Sequence, residues 1–419
     1  MKLSDFGERI AGDAGILRLM DDLGRALSGG KPTAMFGGGN PAHIPAVTHT
    51  YERQLRAIAT DPVQLQAMLG NYDTPQGNDR FIRAIVQLLN DQFDWGITPD
   101  HVAVTPGSQS GFFMLFNLLA GTRHGIKRRI MLPIVPEYIG YADQLIEPAC
   151  FMPIRPTIRK VGQHEFKYRL AAQSLSIDDS VAAIAFSRPT NPTGNAMTDE
   201  EVSRLAAMAR QAGVPLIIDS AYGLPFPGVI HDAATPYYDD NTVISLSLSK
   251  IGLPSARVGI FVGPPPLMKA LSSANAIVNL ASPSIGQYIA RELVASSDIM
   301  ELATQHVQPF YAERAAHARQ LFMDSLPPDL PWRFHIYEGS YFFWLWCDGA
   351  AKTATQLYDY LKKRGVIVVP GEFFFPGIDV STWPHAQQCI RINFSRPDAE
   401  LTAGARILAD GVRWMYGNK

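Results

Sequence analysis

The sequence predicts an α/β fold, in which a large domain on a mainly parallel sheet covered by helices on both faces is joined to a smaller α+β domain. Three observations carry this. Up to about residue 300, short and fully apolar runs of strand length alternate with helical patterns, as expected of strands buried on both faces. Beyond that point the pattern shifts toward strands interspersed with a few helices. The length of 419 residues, with 47% apolar and 18% charged, exceeds one ordinary core and is rich in core-forming side chains. On this basis the large domain is placed at 45–300 and the smaller one at 1–44 and 301–419.

In chain order, residues 13–27 carry Ile16, Leu19, Met20, Leu23 and Leu27 at helical spacing and predict a short amphipathic helix. Gly37-Gly-Gly-Asn-Pro41 follows, a loop with few side chains to keep a ligand away from its backbone. Asn71-Tyr-Asp-Thr-Pro-Gln-Gly77 is a second turn cluster, which exposes Tyr72. Residues 101–105 predict a strand broken by Pro106-Gly-Ser-Gln-Ser-Gly111, after which Phe112, Phe113, Leu115, Phe116 and Leu119 line a helix. Strand, glycine turn and helix start form an anion site, because free amides and the positive dipole end converge there. The G-x-G-x-x-G dinucleotide fingerprint is absent.

The next strands fall at 129–135, ending in Pro136-Glu-Tyr138, and at 181–186, ending in Ser187-Arg-Pro-Thr-Asn-Pro-Thr-Gly194. Thr198 and Glu201 form a capping box that opens a helix, and Gly213 closes it. Residues 214–218 run into Asp219-Ser-Ala-Tyr222, and 242–246 into Ser247-Leu-Ser-Lys250. Arg257 stands at the mouth of the strand 258–262.

Ligands of such sheets sit at the carboxyl ends of the strands. Ser108, Tyr138, Asn191, Asp219, Tyr222 and Lys250 all lie there. A lysine flanked by hydroxyls suits an amine that condenses with a carbonyl cofactor, while Ser247, Ser249 and Arg257 suit a phosphate. Each residue has an ordinary reading, a solvated lysine or a packing tyrosine. Their shared rim argues for a ligand.

In the second unit, 337–346, 366–369 and 389–394 read as strands, with helices near 353–364 and 398–416. Ile390, Ile392 and Phe394 alternate with Arg391 and Asn393, which puts Arg391 on the opposite face of its strand. An exposed strand arginine is the ordinary alternative.

A net charge of -2 gives no footprint for nucleic acid. Cys150, Cys347 and Cys389 form no C-x-x-C pair, which argues against a disulfide framework and fits a reducing cytosol. The ten histidines hold no His-Glu-x-x-His pattern, so no metal is expected. With neither a signal-peptide pattern nor an apolar run of membrane length, a cytoplasmic protein without membrane contact is expected.

The order of Asn191-Pro-Thr-Gly194, Asp219-Ser-Ala-Tyr222, Ser247-Leu-Ser-Lys250 and a late arginine strand resembles the fold-type I aminotransferases, which use pyridoxal 5'-phosphate. The likeness runs nearly end to end and includes Gly37 to Ala42, Gly107 to Ser110, Pro136 to Asp143, Ala221 to Gly228 and Trp383-Pro-His385. It implies Lys250 as the imine-forming lysine and proton carrier, and Asp219 as the carboxylate that keeps the pyridine nitrogen protonated. It also implies Tyr222 and Asn191 on the phenolic oxygen, Tyr138 stacked on the ring, and Gly107, Ser108, Gln109, Ser247, Ser249 and Arg257 around the phosphate.

Tyr72 would reach that phosphate from a second subunit, giving a homodimer with shared active sites. Arg391, Asn191, Gly38 and Gly39 would clamp the α-carboxylate of amino acids and 2-oxo acids. Ile16 and Leu17, with Tyr138, would surround the substrate side chain. No second arginine is assigned to an acidic side chain, so small aliphatic substrates are expected; the exchange of valine and pyruvate for 2-oxoisovalerate and alanine is what the resemblance implies. The alternatives are a broader aliphatic aminotransferase or a lyase or decarboxylase on the same scaffold. A coenzyme-binding transcription regulator would carry an added basic module that is not read here.

Overall fold

The computed structural model of the protein describes residues 2–12, Leu17, Asp21 and 34–417. Apart from Leu17 and Asp21, the helix expected at 13–27 lies outside the described residues, and so does Ile16.

Among the described residues, eight strands form one sheet. Its spatial order is Val102–Pro106, Val258–Val262, Thr242–Ser247, Leu216–Asp219, Val181–Ser187, Ile126–Leu132 and Gly121–Arg123, with Phe151–Pro153 paired to Ile126–Leu132. The four strands from Thr242–Ser247 to Ile126–Leu132 run parallel. Val258–Val262 runs antiparallel to both of its neighbours, because the chain turns back directly after Lys250.

Period-two alternation feeds a different core on each face. Ile244, Leu246, Ile260 and Val262 join one apolar cluster, whereas Val243 and Phe261 join the other. Strands buried on both sides have no polar face to show, which is why their sequences are continuous apolar runs. The helix Asp199–Ala212 covers one side through Val202, Leu205, Ala206 and Ala209. Its capping box forms as expected: the Glu201 amide donates to the Thr198 hydroxyl, and the Thr198 amide to the Glu201 carboxylate at 3.0 Å.

A second sheet orders Val369–Pro370, Cys389–Asn393, Phe342–Cys347, Trp332–His335, Glu165–Arg169 and Thr157–Val161. The hairpin 157–169 falls within the 45–300 span, yet Glu165–Arg169 pairs in parallel with Trp332–His335. Its charge-rich sequence carries no local signal that names a partner more than 160 residues away. The run expected as one strand at 337–346 is strand only from Phe342, since Ser340 takes a left-handed φ of 63° and turns the chain. Ala34–Met35 pairs in parallel with Val366–Ile367 and carries the chain into the glycine loop.

Candidate active site

Asp219 is the last residue of its strand and is 9% exposed. The Tyr141 hydroxyl donates to its Oδ2 at 2.6 Å and the Ala221 amide to its Oδ1 at 3.0 Å. Burial raises the pKa of this carboxyl, opposed by those two donors and by Lys250.

Lys250 stands in the turn that follows the neighbouring strand. Its Nζ donates to the Gly39 carbonyl at 3.0 Å and lies 5.3 Å and 5.8 Å from the ring centres of Tyr222 and Tyr341. Burial, then the positive charges of Arg391 and Arg257, lower its pKa to about 8, with Asp219 acting the other way. Tyr222 is buried, and its ring packs edge-on against Tyr341 at 5.0 Å. Tyr138 meets Tyr141 edge-on at 5.5 Å, near enough for Asp219, Arg391 and Arg257 to act on its hydroxyl.

The anion end forms where the helix Ser108–Leu119 starts. Gly107 precedes it with φ of 82°, and a Cβ there would come within 2.3 Å of the Arg257 guanidinium. Only glycine lets the cation lie against this turn. The Ser108 hydroxyl reaches toward the Leu246 carbonyl at 3.4 Å, and Ser247 Oγ accepts from the Ser249 amide at 3.1 Å. Gln109 donates to the Gly140 carbonyl at 3.3 Å, leaving its buried Oε1 without a partner.

Arg391 is fully buried, so the exposed-arginine alternative fails. Its Nη1 donates to Asn191 Oδ1 and its Nη2 to the Gly37 carbonyl, both at 2.8 Å, while Nε has no partner. The guanidinium lies 4.1 Å from the Phe342 ring centre, and burial lowers its pKa to about 10. The next two loop carbonyls are also held: Asn393 Nδ2 donates to Gly38 at 2.6 Å and the Tyr341 hydroxyl to Gly39 at 2.8 Å. The glycine loop is thus fastened along the rim by side chains from both sheets. A site of this kind can grip one anion at the helix start and another at Arg391, with an amine and a carboxylate between them.

Two expected residues stand apart within this chain. Tyr72 is 85% exposed, and Leu17 is 48% exposed. Sequence reasoning assigned no role to Tyr141, Tyr341 or Asn393. Asn393 was accessible, since it shares the face of Arg391 at a spacing of two; the tyrosines had no such signal. Among the described residues, no three His, Cys, Asp or Glu side chains gather as a metal site, and no helix is long and apolar enough to cross a membrane.

The model of the family "Aminotransferase class I and II" matches residues 39–408. The chain is 40% identical to the valine–pyruvate aminotransferase of Escherichia coli K12, over 98% of each protein. It resembles the crystal structure of a putative amino-acid aminotransferase from Psychrobacter arcticum, with TM-score 0.96, 41% identity and full coverage of both chains. For the valine–pyruvate aminotransferase AvtA of Salmonella typhimurium LT2 the TM-score is 0.88 at 38% identity, covering 96% of this chain and 100% of that one.

Proposed function

The chain belongs to the class I and II aminotransferases, and from that premise we propose that it exchanges the amino group of valine with pyruvate, giving 2-oxoisovalerate and alanine reversibly, with pyridoxal 5'-phosphate as coenzyme. The observation that carries the reading is the single rim on which the buried Lys250 feels both Asp219 and Arg391, with its Nζ on the Gly39 carbonyl of the loop that Arg391 holds at Gly37.

The donor set fits the coenzyme. A cation pressed onto a glycine turn, hydroxyls of Ser108, Ser247 and Ser249, and a helix start suit a phosphate dianion. The buried Gln109 Oε1 without a partner marks a polar lining in the same place. At the other end, Asp219 is a buried carboxylate without a basic side chain among its hydrogen-bond donors, which suits a ring N–H.

When bound, the coenzyme supplies an aldehyde that takes up the amino group and a ring that accepts the electron pair of the Cα–H bond. The protein does the rest. Lys250 would take the proton from the substrate Cα and deliver it across the nitrogen to the carbon that was the coenzyme's aldehyde, a task suited to an amine whose pKa lies near working pH. Asp219 holds a proton on the ring nitrogen, oriented by Tyr141 and the Ala221 amide. Tyr222 and Asn191 would hold the phenolic oxygen, and Tyr138 would cover the ring. Arg391, with a free Nε and Asn191 beside it, fixes the α-carboxylate in both half-reactions.

Around Lys250 and Arg391 stand Tyr138, Tyr222, Tyr341 and Phe342. These four rings offer a carboxylate side chain no charged partner, and it would lose its hydration against them at a cost of several kcal/mol. Each added methylene changes discrimination by only about 1–3 kcal/mol, so alanine, valine and 2-aminobutyrate are all accepted. Initial rates with a panel of amino donors against pyruvate test this. The expected order puts these three ahead of aspartate and glutamate, and a wide lead for either acidic donor would sink the assignment.

The working unit is a homodimer with shared active sites. Tyr72, Ile277, Val278 and Leu280 expose 85%, 87%, 58% and 58% of their surfaces. Their segments are tied together, since Asn275 donates to the Pro75 carbonyl at 2.8 Å and Ser284 to Asp73 at 2.7 Å. Such a patch needs cover, and a two-fold partner would bring its own Tyr72 to the phosphate end. Mixed dimers of Tyr72→Phe and Lys250→Ala chains carry both lesions in one site and keep the other site intact. Activity near half that of the wild-type dimer is expected from them. A monomer with full activity rules the arrangement out. Three free and buried cysteines suit the reducing cytoplasm proposed as its location.

A further inference from the structure

We propose that Glu137 is a further positioning residue of this site, acting on Asp219 through the hydroxyls of Ser187 and Tyr141. The proposal rests on the reading of Asp219 as the coenzyme carboxylate.

Glu137 has no exposed surface. It lies just before Tyr138, and its amide donates to the Phe374 carbonyl at 2.8 Å. Its Oε1 accepts from the Ser187 amide at 2.8 Å, and its Oε2 from the Ser187 hydroxyl at 2.5 Å and the Tyr138 amide at 3.3 Å. None of these donors is a cation. A carboxyl buried in this way favours its neutral form, and burial pushes its pKa to about 8.

Ser187 connects this acid to the site. It stands opposite Asp219 in the parallel ladder, and the amide of the next residue, Arg188, donates to the Asp219 carbonyl at 2.9 Å. The Ser187 hydroxyl also acts on that of Tyr141, which donates to Asp219 Oδ2 at 2.6 Å. When Glu137 carries its proton, it donates to Ser187, Ser187 to Tyr141 and Tyr141 to Asp219. All three donors then point one way and leave Asp219 as the anion of the chain. When Glu137 loses the proton, Ser187 turns back toward it and a second negative charge stands near Asp219. The ionisable groups facing this chain are Tyr138 beside Glu137 and Lys250 beside Asp219; Arg391 approaches through Phe374, 5.2 Å from that ring. A buried carboxylic acid kept only for packing would be replaced at no loss by an apolar side chain. A directed chain needs its proton.

The test uses the coenzyme-loaded full-length protein as wild type, Glu137→Gln, Ser187→Ala, Tyr141→Phe and the Glu137→Gln/Tyr141→Phe double variant. Absorption of the bound coenzyme is followed from about pH 6 to pH 9, together with coenzyme affinity and Tm. Glu137→Gln is expected to move the midpoint of the absorption change and to weaken coenzyme binding about three- to tenfold. In the Tyr141→Phe background the same substitution adds less than it does alone, because the hydroxyl link to Asp219 is already cut and only the charge of Glu137 remains. An unmoved midpoint in Glu137→Gln overturns the proposal, and so does a shift that adds fully to that of Tyr141→Phe. A fall in Tm with an unchanged spectrum assigns Glu137 to packing alone and overturns it too. If Glu137→Gln does not fold, Ser187→Ala must move the midpoint for the proposal to stand. Loss of the coenzyme spectrum in Lys250→Ala, with none of these shifts, separates failure here from failure of the coenzyme reading.

Discussion

Lys250→Ala lowers amino-group transfer by about four orders of magnitude or more and removes the visible absorption of bound coenzyme. No other amine is found with Asp219 and Arg391 among the described residues of the site, so nothing replaces its Nζ. An ordinary lysine is about 0.03% neutral at pH 7, whereas a pKa of about 8 leaves roughly a tenth of the amine neutral. That neutral fraction is both the nucleophile and the base. Coenzyme capture by the wild-type chain should therefore speed up as pH rises through about 8 and then level off.

The same shift has a stability consequence with a definite sign. The folded pKa lies below the unfolded one, so protonation favours the unfolded chain. In the coenzyme-free protein, the alanine variant should gain in Tm on the wild type as pH falls from about 10 to about 8. Turnover close to wild type in Lys250→Ala would remove the central assignment.

Much of the large sheet was legible because its strands are buried on both faces and have no choice but to be apolar throughout. The helix beginning at Asp199 was marked by its capping box and by Gly213 at its end, which are local devices that a sequence shows directly. Lys250, Asp219, Tyr138 and Asn191 could be placed on one rim because strand ends are where side chains escape the sheet. Less was legible wherever contacts cross the chain. The pairing of Glu165–Arg169 with Trp332–His335, and the grip of Arg391 on the Gly37 carbonyl, join residues far apart in sequence. Tyr141 illustrates the limit well: its position at the end of the single helical turn Ile139–Tyr141 gives no hint that its hydroxyl ends on Asp219.

That hydroxyl makes Asp219→Asn the second decisive substitution. The expected result is a protein that folds and retains coenzyme but transfers amino groups about 10²- to 10⁴-fold more slowly. Asparagine keeps the shape and can still accept from the Ala221 amide through its oxygen. It then presents an NH2 where Oδ2 accepted from Tyr141, so two donors meet and one must turn away. The larger loss is the charge. A neutral amide does not hold a proton on a ring nitrogen, and an unprotonated ring draws poorly on the electron pair of the Cα–H bond. Arg391 and Asn191 are untouched, so the substrate is still gripped by its carboxylate. The fall should therefore appear in kcat far more than in KM. Stopped-flow absorbance after mixing the loaded variant with alanine isolates this half-reaction. A half-reaction at wild-type speed would make Asp219 a structural residue and reverse the orientation assigned to the coenzyme.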